Sequence, residues 1–504
     1  MTVVPHRPDP DRAAGVLLGC AVGDALGAGY EFTSAASLPA AVDMIGGGLG
    51  GFAPGEWTDD TAMTIAVAEA AASGLDLRSP AGLDVVADGF ARWYADGPKD
   101  VGVHTSAVLS AADARSGTAT ADQLRRAAQV RLAAGYPSAG NGALMRTAPV
   151  ALAHLDDPDS AAEAARAVSD LTHADPVSAE ACLIWTLGIR HAVLHGDFGG
   201  VRGALTHLPE DRAEEWAGLL DEAEAHDPAH FTSNGWVVHA LQAAWSAISR
   251  TPVPDLDPVG GSFPAQHLAH AVEAAVRAGH DTDTVAAIAG SLLGARWGAS
   301  AVPLTWRRRV HGWPGHTARD LVRLGVHAAR RSTGRPADDP AGWPGGAHVP
   351  YDDYPGRGTL AVHPHDEKVL LGGVDAVHDL PDGVDAVVSL CRLGAAEVPA
   401  TGVNASDHVE VWLVDSNDPV DNPHLAYVID QAARALAELR AEERCVLLHC
   451  VQARSRTPSV AARYSVLTRG VHPQTALDQV GAVLPAAHPQ PALRNAVLDL
   501  GGTR

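Results

Sequence analysis

Basic residues are scarce in this 504-residue chain: 37 Lys and Arg face 60 Asp and Glu, a formal net charge of −23. That balance argues against electrostatic binding of bulk nucleic acid or an anionic membrane, though it leaves room for a small local phosphate pocket. Solubility is its first meaning. Aromatics make up only 5% of residues while hydrophobic residues reach 46% and alanine dominates, which favours close-packed helices over an aromatic-rich sandwich. Cysteine is sparse, odd in number and scattered (Cys20, Cys182, Cys391, Cys445, Cys450), which excludes a disulfide framework, and no Cys-x-x-Cys pair marks a zinc or redox site. Met1–Arg12 contains no basic segment leading into an apolar one, and the apolar run that follows is interrupted by Asp24 and rich in glycine. Neither a signal peptide nor a membrane span is expected, and the reading is of a soluble cytoplasmic protein.

What is present changes character along the chain. From Ala13 to about Arg331, alanine-rich stretches such as Thr61–Ala72, Ser178–Val193, Ala229–Ile248, Gln266–Ala278 and Thr284–Ala295 predict helices, without convincing strands. Residues 332–358 crowd Gly and Pro and predict an interdomain linker. Beyond it, short apolar runs (Thr359–Val362, Val369–Leu371, Ala386–Leu390, Val409–Val414, Val446–Leu448) alternate with the helical stretches Leu425–Arg440, Thr457–Thr468 and Pro473–Val480. That alternation predicts an α/β layer structure with a partly parallel sheet over 359–504.

Two acidic, hydroxyl-bearing clusters lie far apart, Trp57-Thr58-Asp59-Asp60-Thr61 and Asp281-Thr282-Asp283-Thr284, each just before an apolar helix. Either one alone reads as an N-cap. Adjacent Asp59 and Asp60 repel unless a cation compensates, and together the clusters form a hard-oxygen set suited to Mg²⁺, Mn²⁺ or Ca²⁺. These residues occur with Gly23-Asp24-Ala25-Leu26-Gly27, Tyr30-Glu31, Asp100-Val101-Gly102, Gly140-Asn141-Gly142-Ala143-Leu144-Met145-Arg146 and Thr172-His173. In content and order, residues 12–331 resemble the ADP-ribosylglycohydrolases of the dinitrogenase-reductase-activating type. The resemblance implies an all-α domain and two Mg²⁺ (or Mn²⁺) ions held by Thr58, Asp59, Asp60, Asp281, Asp283 and Thr284. It also implies Glu31 as acid/base or gate beside the reacting ribose, with Asp59 and Asp60 at the catalytic centre. Asp100, Thr105, Ser138, Gly140, Asn141, Gly142 and His173 are implied as contacts to an ADP-ribosylated protein or ADP-ribose derivative.

The second constellation is Val446-Leu447-Leu448-His449-Cys450, followed after five intervening residues by Arg456 and then Thr457. Strand, loop and helix in that order wrap amides around one phosphate, with Arg456 pairing to its oxygens and the local field favouring a Cys450 thiolate. Residues 359–504 resemble the dual-specificity protein phosphatases, which implies a phosphocysteine at Cys450, Arg456 stabilising the transferring group, Thr457 assisting thiolate release, and an upstream general acid. Asp415 matches that acid best, with Asp418 and Asp421 as competitors. Ala453 stands where that family usually has glycine, and a left-handed backbone there would cost alanine about 1–2 kcal/mol. Three readings therefore stand on sequence: a metal-dependent ADP-ribosyl hydrolase joined to a cysteine phosphatase acting on a phosphorylated substrate, an ADP-ribose and phosphate binder with a pseudo-phosphatase domain, and a two-metal phosphoesterase.

Overall fold

Glycines recur every four residues at Gly15, Gly19, Gly23 and Gly27, which puts them on one face of a helix. In the computed structural model, which describes residues 9–501, that face lies backbone to backbone on a helix from much later in the chain. The helices that position the first site are α1 (Pro10–Gly27), α2 (Asp59–Ser73), α3 (Pro176–His195) and α4 (Thr282–Trp297). A methyl at Gly19 would stand 2.1 Å from the Gly290 carbonyl oxygen, and one at Gly23 2.0 Å from that of Ala286. Glycine is therefore what allows α1 and α4 to meet at this distance. Residues 1–8, on which part of the reading of the chain start rests, lie outside the described residues.

The chain divides into two compact units. The first comprises residues up to 252, 267–302 and 309–337, and is helical as expected. α1 and α3 are long and apolar enough to cross a membrane, yet 94% and 78% of their apolar windows are buried, which makes them core helices. Two expectations need correction. The stretch Ala229–Ile248 is not one helix: a short turn at Pro228–His230 is separated from a helix at Val237–Arg250, because Ser233-Asn234-Gly235 turns the chain. A small antiparallel ladder, His311–Gly312 with His316–Thr317, also lies in this unit where no strand was expected.

The second unit comprises 338–504 together with 253–266 and 303–308. The cut thus falls inside the Gly/Pro-rich stretch, and no helix or strand lies between Ser332 and Leu360. Its strands are β1 (Leu360–His363), β2 (Asp366–Gly372), β3 (Ala386–Ser389), β4 (His408–Glu410) and β5 (Val446–His449), in sheet order β1-β2-β5-β3-β4. β1 pairs antiparallel with β2, and all other pairs are parallel. β5 is central and buried along its length, which explains its unbroken apolar run. β4 ends at Glu410, well short of Val414, because the chain leaves the sheet there and Val414 gives both its amide and its carbonyl to the Asn422 side chain. Helices α5 (Leu425–Ala441) and α6 (Arg456–Arg469) flank the central strand in sequence.

Candidate functional site

The capping reading of the acidic clusters fails on geometry. Thr58 and Asp281 occupy the N-cap positions of α2 and α4, but neither side chain makes a cap hydrogen bond. The start of α2 is instead held from outside by Asp24 of α1, which accepts from the Thr58 amide (2.9 Å), the Thr61 amide (2.9 Å) and the Thr61 hydroxyl (2.6 Å). Freed from capping, the acidic side chains converge. Carboxylate oxygens of Asp24, Asp60 and Asp283 lie within 4.8 Å of one another, as do those of Glu31, Asp281 and Asp283. Asp283 is common to both groups. Asp60 Oδ2 also accepts from the hydroxyls of Thr58 (3.1 Å) and Thr284 (3.3 Å), which brings these two threonines to the same point.

Concentrating carboxylates in a buried site penalises their charge. Burial first, then neighbouring acids, pushes Asp59 and Glu31 up to about 8 and raises Asp60 and Asp283 well above the usual carboxylate range. Asp60 Oδ1 and Glu31 Oε2 are buried without a hydrogen-bond partner among the described residues. Divalent cations satisfy such orphaned oxygens, and the donor set, carboxylates with hydroxyls and no sulfur, suits hard ions. Asp24 sits in the group by proximity, but both its oxygens already accept hydrogen bonds, so it orients α2 while the others remain available.

A cleft of about 300 Å³ opens beside this centre, lined by Glu31, Asp59, Asp100, Thr105, Gly140, Asn141, Gly142, His173, Asp281, Asp283 and Thr284. Ser138 is not among its walls: it is buried and donates its hydroxyl to the Tyr136 carbonyl at 2.9 Å. Asn141 Nδ2 donates to Asp281 Oδ2 (2.8 Å) and to the Asn234 carbonyl (3.0 Å), while Asn234 Oδ1 accepts from the Asp281 amide (3.1 Å). Asn234 was missed in the sequence; its signal was the Ser-Asn-Gly turn, hidden inside an apparent helix. Asp24 was quoted only as part of a motif.

His173 is buried, with neighbours that fix its tautomer. Arg146 Nη2 donates to Thr172 Oγ1 (2.5 Å), and Thr172 Oγ1 lies 2.7 Å from His173 Nδ1. With the Arg146 proton entering the hydroxyl oxygen, the Thr172 proton points to Nδ1, leaving Nε2–H as a donor. Burial, then the charge of Arg146, holds His173 well below the usual imidazole range, so it is neutral. Nε2 faces the glycine loop: a methyl at Gly142 would stand 3.2 Å from the His173 ring, and one at Gly140 3.4 Å from Nε2.

In the second unit, β5 delivers Cys450 to a loop that ends at the first turn of α6, with Arg456 and Thr457 on that turn. Burial raises the Cys450 thiol, but Arg456, the Thr457 hydroxyl and the amides of Thr457 and Gln452 outweigh it, and the net shift is downward. Arg456 Nη1 is anchored by the carbonyls of Leu390 (2.7 Å) and Leu413 (3.3 Å), while its buried Nε makes no hydrogen bond. Asp415 reaches the loop, accepting from the Ser455 hydroxyl at 2.6 Å and lying 3.9 Å from Arg456 Nε. Asp418 instead holds its own turn through the Val420 amide. Beneath the loop, Ser389 Oγ sits between Nε2 of His408 (2.7 Å) and Nε2 of His449 (2.6 Å), a buried polar chain that orients His449 behind Cys450. Gln452 Nε2 donates to the Pro355 carbonyl at 2.7 Å, so part of the Gly/Pro-rich stretch abuts this loop.

Ala453 has φ of +53°. The left-handed backbone foreseen for that position is present, and alanine bears its strain. Ala453→Gly is expected to stabilise the loop by about 1 kcal/mol. Hydrogen exchange of peptides covering 446–469 in the full chain would slow roughly fivefold, by the usual conversion of free energy to population.

Comparison with known proteins separates the two halves. Residues 5–336 match the family described as ADP-ribosylglycohydrolase. The chain is 32% identical over 307 residues to the ADP-ribosyl-[dinitrogen reductase] glycohydrolase of Rhodospirillum rubrum, covering 60% of this chain and 90% of the relative. It is 29% identical over 319 residues to the ADP-ribosylarginine hydrolase Tri1 of Pseudomonas putida (strain GB-1), covering 61% of this chain and 76% of the relative. A crystal structure of human DUSP28 aligns with 28% of this chain and 92% of its own, at 19% identity and a TM-score of 0.24.

Proposed function

Because the chain belongs to the ADP-ribosylglycohydrolase family, we propose that its first unit hydrolyses the ADP-ribosyl bond of an ADP-ribosylated protein, with arginine as the acceptor. The observation that carries this is the meeting of Asp60 and Asp283, remote in sequence, at ligand distance, with Asp60 Oδ1 buried and without a hydrogen-bond partner among the described residues. Thr58, Asp59, Asp60, Asp281, Asp283 and Thr284 are the residues that would hold divalent ions, and Asp283, shared by the two carboxylate groups, favours a pair over one. When bound, such ions orient a ribose diol and lower the pKa of water.

The remaining steps belong to the chain's own side chains. Cleavage at the anomeric carbon passes through an oxocarbenium-like state and requires a proton to be taken from water and given to the leaving nitrogen. Glu31 Oε2 is the atom placed to move that proton, since Glu31 lines the cleft and its oxygen has no competing partner. His173 Nε2–H and the amides of Gly140 and Gly142 donate to the diphosphate, while the Asn141 amide is held by the Gly235 carbonyl and the Asn141 side chain keeps Asp281 turned toward the cleft. Incubation of the full chain with ADP-ribosylated arginine and serine peptides, with Mg²⁺ or Mn²⁺ and with EDTA, tests this. Cation-dependent release of ADP-ribose from the arginine peptide is expected; release unaffected by EDTA, or none, overturns it.

For the second unit we propose phosphomonoester hydrolysis, supported by the lowered Cys450 thiol and the anchored Arg456. The Cys450 thiolate attacks phosphorus, an S–P bond forms as the ester P–O bond breaks, and Asp415 protonates the leaving oxygen. Water, giving a proton back to Asp415, then attacks phosphorus, the S–P bond breaks, and phosphate leaves with the Cys450 thiolate regenerated.

A further inference from the structure

Asp59 and Asp100 line two spaces at once. On one side is the cleft already described; on the other is a smaller cavity of about 150 Å³ with a different chemistry. Its walls bring together four aromatic rings, Trp57, Trp93, Trp313 and Phe52, with the carboxylates of Glu56, Asp59, Asp96 and Asp100. Lys99, the cation in the wall, is already engaged: its Nζ lies 2.6 Å from Glu56 Oε2 and 5.3 Å from the centre of the Phe52 ring. Asp96 and Asp100 have no ion pair among the described residues. Asp96 accepts one hydrogen bond, from Trp313 Nε1 at 2.8 Å, which fixes both the carboxylate and the indole plane.

The aromatic wall is tied rigidly to the acidic segment. Trp313 sits in the turn of the small ladder, whose His311 exchanges backbone hydrogen bonds with Gly55 and Trp57 (each 3.0 Å), immediately before Thr58. Trp57 Nε1 donates to the Trp313 carbonyl at 3.3 Å. A flat cation is what such walls recognise: indole faces attract it through their quadrupoles, and a carboxylate pairs with it in a bidentate fork. A neutral leaving group gains neither.

We propose that this cavity receives the guanidinium of the departing acceptor, with Trp313 as its stacking face and Asp96 as its counter-charge, and that it sets the preference for arginine over neutral acceptors. The proposal rests on the hydrolase reading for its biological meaning, so its first test does not depend on turnover. The Trp313 indole N–H resonance in the full chain, assigned by its loss in Trp313→Phe, is followed during titration with methylguanidine, methylammonium and methylurea. A saturable shift with methylguanidine that is at least fivefold weaker with methylurea and is abolished in Asp96→Asn supports the proposal. No shift, or equal shifts with methylurea, overturns it, and a stronger response to methylammonium reassigns the cavity to a lysine-like ammonium and overturns the guanidinium assignment. In the activity arm, Asp96→Asn lowers the ratio of kcat/KM for ADP-ribosylarginine over ADP-ribosylserine peptides at least tenfold. An unchanged ratio with both activities reduced marks a structural effect and removes the specificity role. Failure of every peptide in the wild type, with the methylguanidine response intact, sinks the hydrolase reading alone.

Discussion

Asp60→Asn is expected to lower kcat/KM on an ADP-ribosylated arginine peptide by three orders of magnitude or more, about 4 kcal/mol of transition-state stabilisation. The same substitution is expected to stabilise the unliganded first unit. Asp60 is buried, and its carboxyl is raised well above the usual range by burial first and then by Asp24, Asp59 and Asp281. A raised carboxyl binds a proton in the folded chain that it has already lost in the unfolded one. With EDTA present, stability therefore falls as pH rises from about 4 toward about 8, the window opened by the unperturbed carboxylate value and by Asp59 and Glu31. Asparagine removes Asp60's share of that slope. Adding Mg²⁺ or Mn²⁺ reverses the order: the wild type gains about 2.7 kcal/mol at one hundred times its dissociation constant, and the variant gains little. Thermal unfolding of both proteins at pH 5 and pH 8, with EDTA and with the cation, checks all four corners. An acidic cluster that is merely a capping device would show no cation-dependent difference.

Cys450→Ser is expected to abolish hydrolysis of a small aryl phosphate by the second unit, a loss of at least a thousandfold, while leaving ADP-ribosyl hydrolysis unchanged. The argument runs through the thiol. Burial alone would raise it, yet Arg456, Thr457 and the Gln452 amide bring it below its ordinary value of 9.0. A group whose folded value is lowered keeps its charged form down to lower pH, so alkylation of Cys450 by iodoacetamide should reach half its maximal rate below pH 9.0. Peptide mass mapping separates it from Cys391, whose thiol is pushed up to about 12, chiefly by burial, and which should stay unmodified. Asp415→Asn should reduce turnover on an alkyl phosphate more than on an aryl phosphate, because the poorer leaving group needs the proton more. A phosphate-binding loop without chemistry would show low-pH alkylation but no turnover in the wild type.

Where the sequence spoke clearly, its periodicity was regular. α2, α3 and α4 are unbroken alanine-rich helices, and each was foreseen to within about two residues at its ends. The convergence of Asp60 with Asp283 came from matching ordered motifs, since nothing in local pattern relates two segments so far apart. Local pattern failed where long-range pairing overrode propensity. Residues 229–236 look helical, but Asn234 is drawn out to bridge Asn141 and Asp281, and the ladder around Trp313 is too short to carry an alternation signal. Ser138 belongs to the glycine-rich run by sequence, but its hydroxyl is spent on the Tyr136 carbonyl and the cleft lining there begins at Gly140. Asp24 was legible as a motif and illegible in role, because a carboxylate that caps another helix looks the same in sequence as one that holds an ion.

The glycine ladder between α1 and α4 bears on the order in which the molecule is made. Asp60 of α2 and Thr284 of α4 meet across a separation of 224 residues, and they do so through α1, whose Asp24 holds the start of α2 and whose glycines let its backbone lie against that of α4. At roughly 5–20 residues per second, a ribosome needs about 10–45 s to travel between them. For that time the emerging chain carries half a cage, with too few oxygens gathered to retain a divalent ion. Ion capture thereby becomes a late event, reserved for chains whose first helix has waited for its partner, and a chain truncated before residue 281 should be blind to the cation however well its earlier helices fold.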